Sequence, residues 1–170
     1  MAHAGLWFAA VGAIEERLQE LGLELPAPFA PPPGIEFKFD LVRVHDGLAY
    51  ISGHLPMDGQ EVLVQGKVDA DVSVEEAREA ARLTGLSIFA SLKQELGELD
   101  RVTGWVKALG LVNCSPGFSK TPAVINGFSE LILEVWGDAG GHARSAIGAS
   151  ELPFDAPVEV EAIAEILPPR

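Results

Sequence analysis

Five prolines fall within the ten residues Leu25 to Gly34: Pro26, Pro28, Pro31, Pro32 and Pro33. Proline fixes φ near about −65° and has no amide proton to donate, so this stretch can be neither helix nor central strand. It reads as a stiff extended connector laid across the surface, or else as a ligand for a proline-binding partner. Either way it divides the chain into 1–34, a helix plus this connector, and 35–170, which must supply the main domain.

Before the connector, residues 4–22 read as a helix. Trp7, Val11, Ile14, Leu18 and Leu21 recur at spacings of four and three and form one apolar stripe. Glu15, Glu16, Arg17, Gln19 and Glu20 take the other face, and Gly22 supplies the stop. The stripe docks either on the helix's own domain or on a partner subunit.

After the connector, the periodicity gives strand, strand, helix, strand, helix, strand, strand. Ile35 to Val44 alternates as a strand with Phe37, Phe39 and Leu41 on one face. His45-Asp46-Gly47 turns it into a returning arm, Leu48 to Gly53, and Pro56-Met57-Asp58-Gly59 makes another turn. Ser73-Val74-Glu75-Glu76 is a capping box that opens a helix to about Leu96, with Gly97 as its stop. Its buried face includes Ala77, Ala81, Ile88, Leu92 and Leu96.

Val102 to Val112 is apolar on both faces, as a central, well-covered strand should be. Asn113 to Lys120 is a loop, and Thr121-Pro122 is an N-cap and first-turn pair. The helix that follows runs to about Trp136, burying Val124, Phe128, Leu131, Ile132 and Val135. Two short strands end the chain, one opening at Arg144 and one spanning Val158 to Ala164. The class is α+β.

The net charge of −13 repels phosphate backbones, and the 12 Lys and Arg are dispersed singly, so no nucleic-acid partner is expected. The short apolar run Leu6 to Ile14 is neither a secretory signal nor a membrane span. One cysteine, Cys114, excludes an intramolecular disulfide and fits a reducing, cytoplasmic setting; it reads as an ordinary loop cysteine. None of the four histidines is paired at ligand spacing, so no metal or other cofactor is expected. No phosphate loop, dinucleotide fingerprint or nucleophile elbow is present.

What remains is an anion-site pattern. Arg144 follows the glycine-rich Gly137-Asp138-Ala139-Gly140-Gly141, and Glu159 lies on the next strand. A guanidinium fork matches a carboxylate or phosphate, and a neighbouring carboxylate can orient water or move a proton. The alternative is an ordinary salt bridge from Arg144 to one of the nearby acids. Ser52 and Gly53 end a strand where small residues allow close ligand approach, and Asn126, on the second helix, either joins them or faces solvent or caps a neighbour as such amides usually do.

With these residues in place, the chain resembles the RidA (YjgF) family, also called the L-PSP endoribonuclease family, over roughly Leu48 to Ile166. The likeness is densest in Ala143-Arg144-Ser145-Ala146-Ile147-Gly148 and runs through Leu152-Pro153 to Val158-Glu159-Val160-Glu161-Ala162-Ile163-Ala164. Ile51-Ser52-Gly53-His54-Leu55-Pro56 resembles the family's Ser-Gly-Gln-hydrophobic-Pro segment, and Asn126 stands where the family has an asparagine early in its second helix.

The resemblance implies a chorismate-mutase-like mixed sheet with two helices on one face, to which this chain adds an N-terminal helix. It also implies a homotrimer with clefts between subunits. Arg144 would clamp the carboxylate of an imino or keto acid, Glu159 would hold the hydrolytic water, and Ser52, Gly53 and Asn126 would line the cleft. The implied reaction is hydrolysis of reactive enamines or imines to keto acid and ammonia. A non-catalytic metabolite-binding trimer is the alternative, and endoribonuclease activity ranks third.

Two departures stand out. The tyrosine motif of deaminating members is replaced by Gly34-Ile35-Glu36-Phe37-Lys38-Phe39, and Ala146 stands where those members often have cysteine. The chain reads as a divergent branch.

Overall fold

Asp46 and Gly47 both take positive φ, 49° and 77°, and this two-residue turn fits the right-handed twist of the strands it joins. It sets the register of strands β1 (Val42–His45) and β2 (Leu48–His54), with His45 opposite Leu48. The computed structural model describes residues 12–31 and 33–168. Its further elements are α1 (Ala13–Glu20), the short pair β3 (Met57–Asp58) and β4 (Glu61–Val62), α2 (Val74–Leu96), β5 (Val102–Asn113), α3 (Thr121–Trp136), β6 (Ala143–Ala149) and β7 (Val158–Ile166).

The main sheet has five strands in the order β1-β2-β7-β5-β6. Only β5 and β6 run parallel, and α3 connects them as a crossover must. Along β7, Val158, Val160, Ala162 and Ala164 point under the helices, while Glu159, Glu161 and Ile163 point the other way. The core between sheet and helices is built on Phe89, Trp105, Phe128 and Trp136; Phe89 meets Trp136 edge-on at 4.8 Å between ring centres.

The Ser73 capping box closes in both directions. The Ser73 hydroxyl accepts from the Glu76 amide at 3.2 Å, and the Glu76 carboxylate accepts from the Ser73 amide at 2.9 Å. Helices α2 and α3 cross closely because glycines stand at the contact. A Cβ on Gly127 would lie 1.9 Å from the Arg78 carbonyl oxygen.

Several expectations need correction. The strand expected over Ile35 to Val44 is paired only from Val42. Upstream, Phe37 stacks on Phe39 at 5.2 Å and meets Phe29 at 5.0 Å, so ring packing replaces strand pairing. Met57 and Asp58 form β3 rather than a turn, and the reversal falls at Gly59, whose φ is +58°. Strand β5 is central but covered on one face only within the single chain, leaving Val106 40 % exposed. Thr121 does not cap α3; it is the helix's first residue, and its hydroxyl donates to the Ala146 carbonyl at 3.1 Å. Cys114 is buried against Gly148 instead of lying in an open loop.

Helix α1 docks on its own domain. Leu18 enters the core, the Ala13 amide donates to Asp100 Oδ1 at 2.9 Å, and Arg17 Nε donates to the Glu134 carbonyl at 3.2 Å. Trp7 and Val11 lie outside the described residues. No helix among the described residues is long and apolar enough to cross a membrane.

Candidate functional site

Arg144 sits on β6 opposite Ala108, so its side chain rises on the helix-covered side of the sheet. There it is aligned by neutral acceptors alone. Nη1 donates to Asn126 Oδ1 at 3.0 Å and to Ser129 Oγ at 2.9 Å, and Nη2 donates to the Pro122 carbonyl at 3.3 Å. Asn126 and Ser129 are three residues apart on α3 and therefore share a face. Three of the guanidinium's five donors are engaged this way, and Nε–H and one Nη2–H have no partner among the described residues.

No carboxylate pairs with Arg144 among the described residues, so the salt-bridge alternative does not hold there. Burial draws its pKa below the ordinary guanidinium value. A partly desolvated cation with spare, planar donors has the geometry to receive the two oxygens of an anion.

Glu159 occupies the other side of the sheet, on β7 opposite Leu111. Burial lifts its carboxyl pKa above the ordinary value, and the charge of Glu161, two residues along the same face, adds to the rise. Beneath it, β2 departs from regular register between Ile51 and His54, and Gly53 lies in that irregularity. A Cβ at Gly53 would meet Glu159 Oε1 at 1.8 Å, so the absence of a side chain gives the carboxyl group its seat.

Gly53 and Glu159 line a cavity of about 210 Å³, walled by Phe29, Phe37, Phe39, Leu55, Met57 and Phe154. His54 also borders it but is buried: Nδ1 donates to the Ser52 carbonyl at 2.7 Å, which leaves Nε2 to accept from the Ser91 hydroxyl at 2.9 Å. Burial lowers the His54 pKa, against the smaller opposing effect of its hydrogen bond to the Ser52 backbone.

The single chain therefore forms two pairs, Arg144 with Asn126 and Glu159 with Gly53, and separates them across the sheet. Ser52 joins neither pair. Its hydroxyl donates to the Asp40 carbonyl at 2.7 Å, and it borders a shallow hollow on the uncovered face beside Tyr50 and Lys107. Ser129 and the aromatic wall are additions to the residues the sequence singled out. Ser129 was findable, since its spacing from Asn126 puts both on one helix face. Phe154 was not, because its positive φ of 57° has no sequence signal. Among the described residues, no group of three or more His, Cys, Asp and Glu is placed to hold a metal.

A mixed sheet with two helices on one face, with an arginine on an edge strand and a glutamate on the central one, defines a chorismate-mutase-like α+β domain. The family described as "YjgF/chorismate mutase-like, putative endoribonuclease" matches residues 15–166, and the chain belongs to this YjgF (RidA) family. It is 38 % identical over 159 residues to Protein TCP17 of Trypanosoma cruzi, covering 92 % of this chain and 96 % of that one.

Among solved structures, protein Atu1372 of Agrobacterium tumefaciens superposes with a TM-score of 0.82 at 40 % identity, covering 91 % of this chain and 93 % of that one. A Shewanella oneidensis protein gives 0.82 at 32 % identity, covering 91 % of this chain and all of the other (100 %). Escherichia coli TdcF with bound serine, at 20 % identity and a TM-score of 0.55, shares the fold.

Proposed function

We propose that this protein binds a small 2-imino or 2-keto acid in a cleft between subunits of a homotrimer and hydrolyses the imine to keto acid and ammonia. The observation that carries the reading is the Arg144 guanidinium, oriented by Asn126, Ser129 and Pro122 and paired with no acid among the described residues. Its free donors suit the two oxygens of a carboxylate. Because Glu159 faces the opposite side of the sheet, one ligand can meet both groups only if a second copy supplies one of them. The uncovered sheet face, with Ile147 51 % exposed and Tyr50 41 % exposed, is the surface such an assembly would bury.

In the reaction, water forms a carbon–oxygen bond at the imine carbon while Glu159 takes its proton. The π pair of the C=N bond moves to nitrogen, which is protonated. The resulting carbinolamine then passes its hydroxyl proton through Glu159 to the amino nitrogen as the C–N bond breaks, releasing ammonia and leaving the keto acid. A carboxyl whose pKa is raised by burial is suited to hold and return a proton nearer neutral pH. Arg144 contributes position and charge, so no cofactor enters the scheme.

A second reading, binding without turnover in a regulatory trimer, is supported by the cavity wall. Its rings are phenylalanines, and Tyr50 lies on the uncovered sheet face instead. RNA cleavage ranks last, because a chain of net charge −13 disfavours a polyphosphate substrate.

The test is release of ammonia and keto acid from freshly generated imino acids. Arg144→Ala should cut the rate by at least ~100-fold, as loss of a charge-paired clamp does. Equal rates for both proteins would remove Arg144 from the mechanism.

A further inference from the structure

Part of the wall of the cavity beside Glu159 comes from the segment ahead of the first strand. Phe29 belongs to the proline connector, and Phe37 and Phe39 to the extended segment after it. The connector is tied down at three points: the Ala27 amide donates to Asp58 Oδ1 at 2.7 Å, the Gly59 amide to the Ala27 carbonyl at 3.0 Å, and Gln60 Nε2 to the Pro31 carbonyl at 3.1 Å. Proline stiffness plus these anchors holds Phe29 in place without much ordering cost on binding.

We infer that the ligand of this cleft carries a large apolar side chain, aromatic in preference to small aliphatic, seated among Phe29, Phe37, Phe39 and Phe154. The inference rests on the reading of Glu159 as the reacting end of the cleft. Phe29, Phe37 and Phe39 form a ladder of rings with centres 5.0 Å and 5.2 Å apart, tilted by 40° and 28°. Such a ladder accepts a further ring in the same offset manner.

Phe39 at the end of the ladder and Phe154 elsewhere in the cavity wall are left open to water, at 56 % and 55 % exposure, and a bound ring would cover them. Phe154 and Asp155 both sit in the left-handed region, at φ 57° and 56°. They are held there by Gln65 Nε2 donating to the Phe154 carbonyl at 2.9 Å and by the Gly66 amide donating to the Asp155 carbonyl at 2.8 Å. Conformations this unusual for a bulky residue concentrate at ligand clamps.

Apart from the Glu159 carboxylate, the polar lining gives a polar side chain little to bind. His54 is occupied by Ser52 and Ser91, and the Ser87 hydroxyl donates to the Met57 carbonyl at 2.8 Å. An acidic side chain would face the Glu159 carboxylate. Size agrees: a cavity of about 210 Å³ is larger than the ~150 Å³ apolar cavity that is known to take up benzene.

Titration calorimetry on the full chain with pyruvate, phenylpyruvate and benzyl alcohol tests this. Phenylpyruvate should bind at least ~10-fold more tightly than pyruvate, the scale set by apolar groups in an apolar pocket. Phe37→Ala and the exposed Phe39→Ala should each weaken phenylpyruvate more than pyruvate and so erase that margin, whereas Arg144→Ala should weaken both acids. Equal affinity for the two acids overturns the inference while the carboxylate reading stands. If neither acid binds but benzyl alcohol does, and Phe37→Ala abolishes it, the aromatic seat is supported and the carboxylate reading fails. If no ring compound binds, or Phe37→Ala alters subunit number without any ring binding, the cavity is not a ligand seat and the inference is overturned.

Discussion

Gly53 and Glu159 compete for one volume: a Cβ on the glycine would stand 1.8 Å from the carboxylate's Oε1 and 2.8 Å from its Cδ. What must move to admit a methyl group is the far end of a flexible side chain, not backbone. Gly53→Ala should therefore cost less than about 1 kcal/mol of stability, as such tolerated changes do. It should still reduce imine hydrolysis by at least ~10-fold, because a displaced acid–base group loses its geometry. Thermal melting and ammonia release measured on the same preparation check both halves.

The raised pKa of Glu159 has a thermodynamic consequence with a definite sign. The folded protein holds this proton more tightly than the unfolded chain, so the stabilisation from protonation is complete below the ordinary value of 4.5 and is lost as pH rises through the raised one. Glu159→Gln should melt higher than the wild type at pH 8, with the gap closing below pH 4.5. Melting curves across that range decide it. A variant less stable at pH 8 would mean that the ionised carboxylate is held by partners rather than penalised by burial.

Gly127 lies between Asn126 and Ser129 in the chain, at the point where α3 crosses α2. A Cβ there meets the Arg78 carbonyl at 1.9 Å, and backbone cannot step aside as a side chain does. Gly127→Ala should destabilise the fold by about 2 kcal/mol, within the usual range for overpacking. It should also weaken carboxylate binding, since the helix that carries all three Arg144 acceptors must shift. Denaturant titration, with pyruvate binding measured well below the transition, separates the two effects.

The parts of this architecture that were legible in the sequence are those written in local chemistry. Ser73 and Glu76 announce α2, Asp46-Gly47 announces the hairpin, and the apolar spacing of Val124, Phe128, Leu131 and Val135 announces α3. The site was legible residue by residue but not in its arrangement. Arg144 and Glu159 looked convergent because both fall on terminal strands, yet the alternation along β6 and β7 sends them to opposite faces. Phe37 and Phe39 carried a true strand alternation, but ring stacking with Phe29, remote in sequence, turned it into a cavity wall. Such long-range packing leaves no period to read.

Subunit mixing tests the central claim, that Arg144 and Glu159 from different copies share one ligand, most directly. Arg144→Ala and Glu159→Gln proteins, each inactive alone, would be unfolded together, refolded and assayed for ammonia release. In a ring of head-to-tail interfaces, random assembly gives about a quarter of the clefts both native groups, so about a quarter of wild-type activity should return. If the mixture stays as inactive as its components, although mass measurement shows mixed oligomers, the two residues do not meet across a subunit boundary and the account is contradicted.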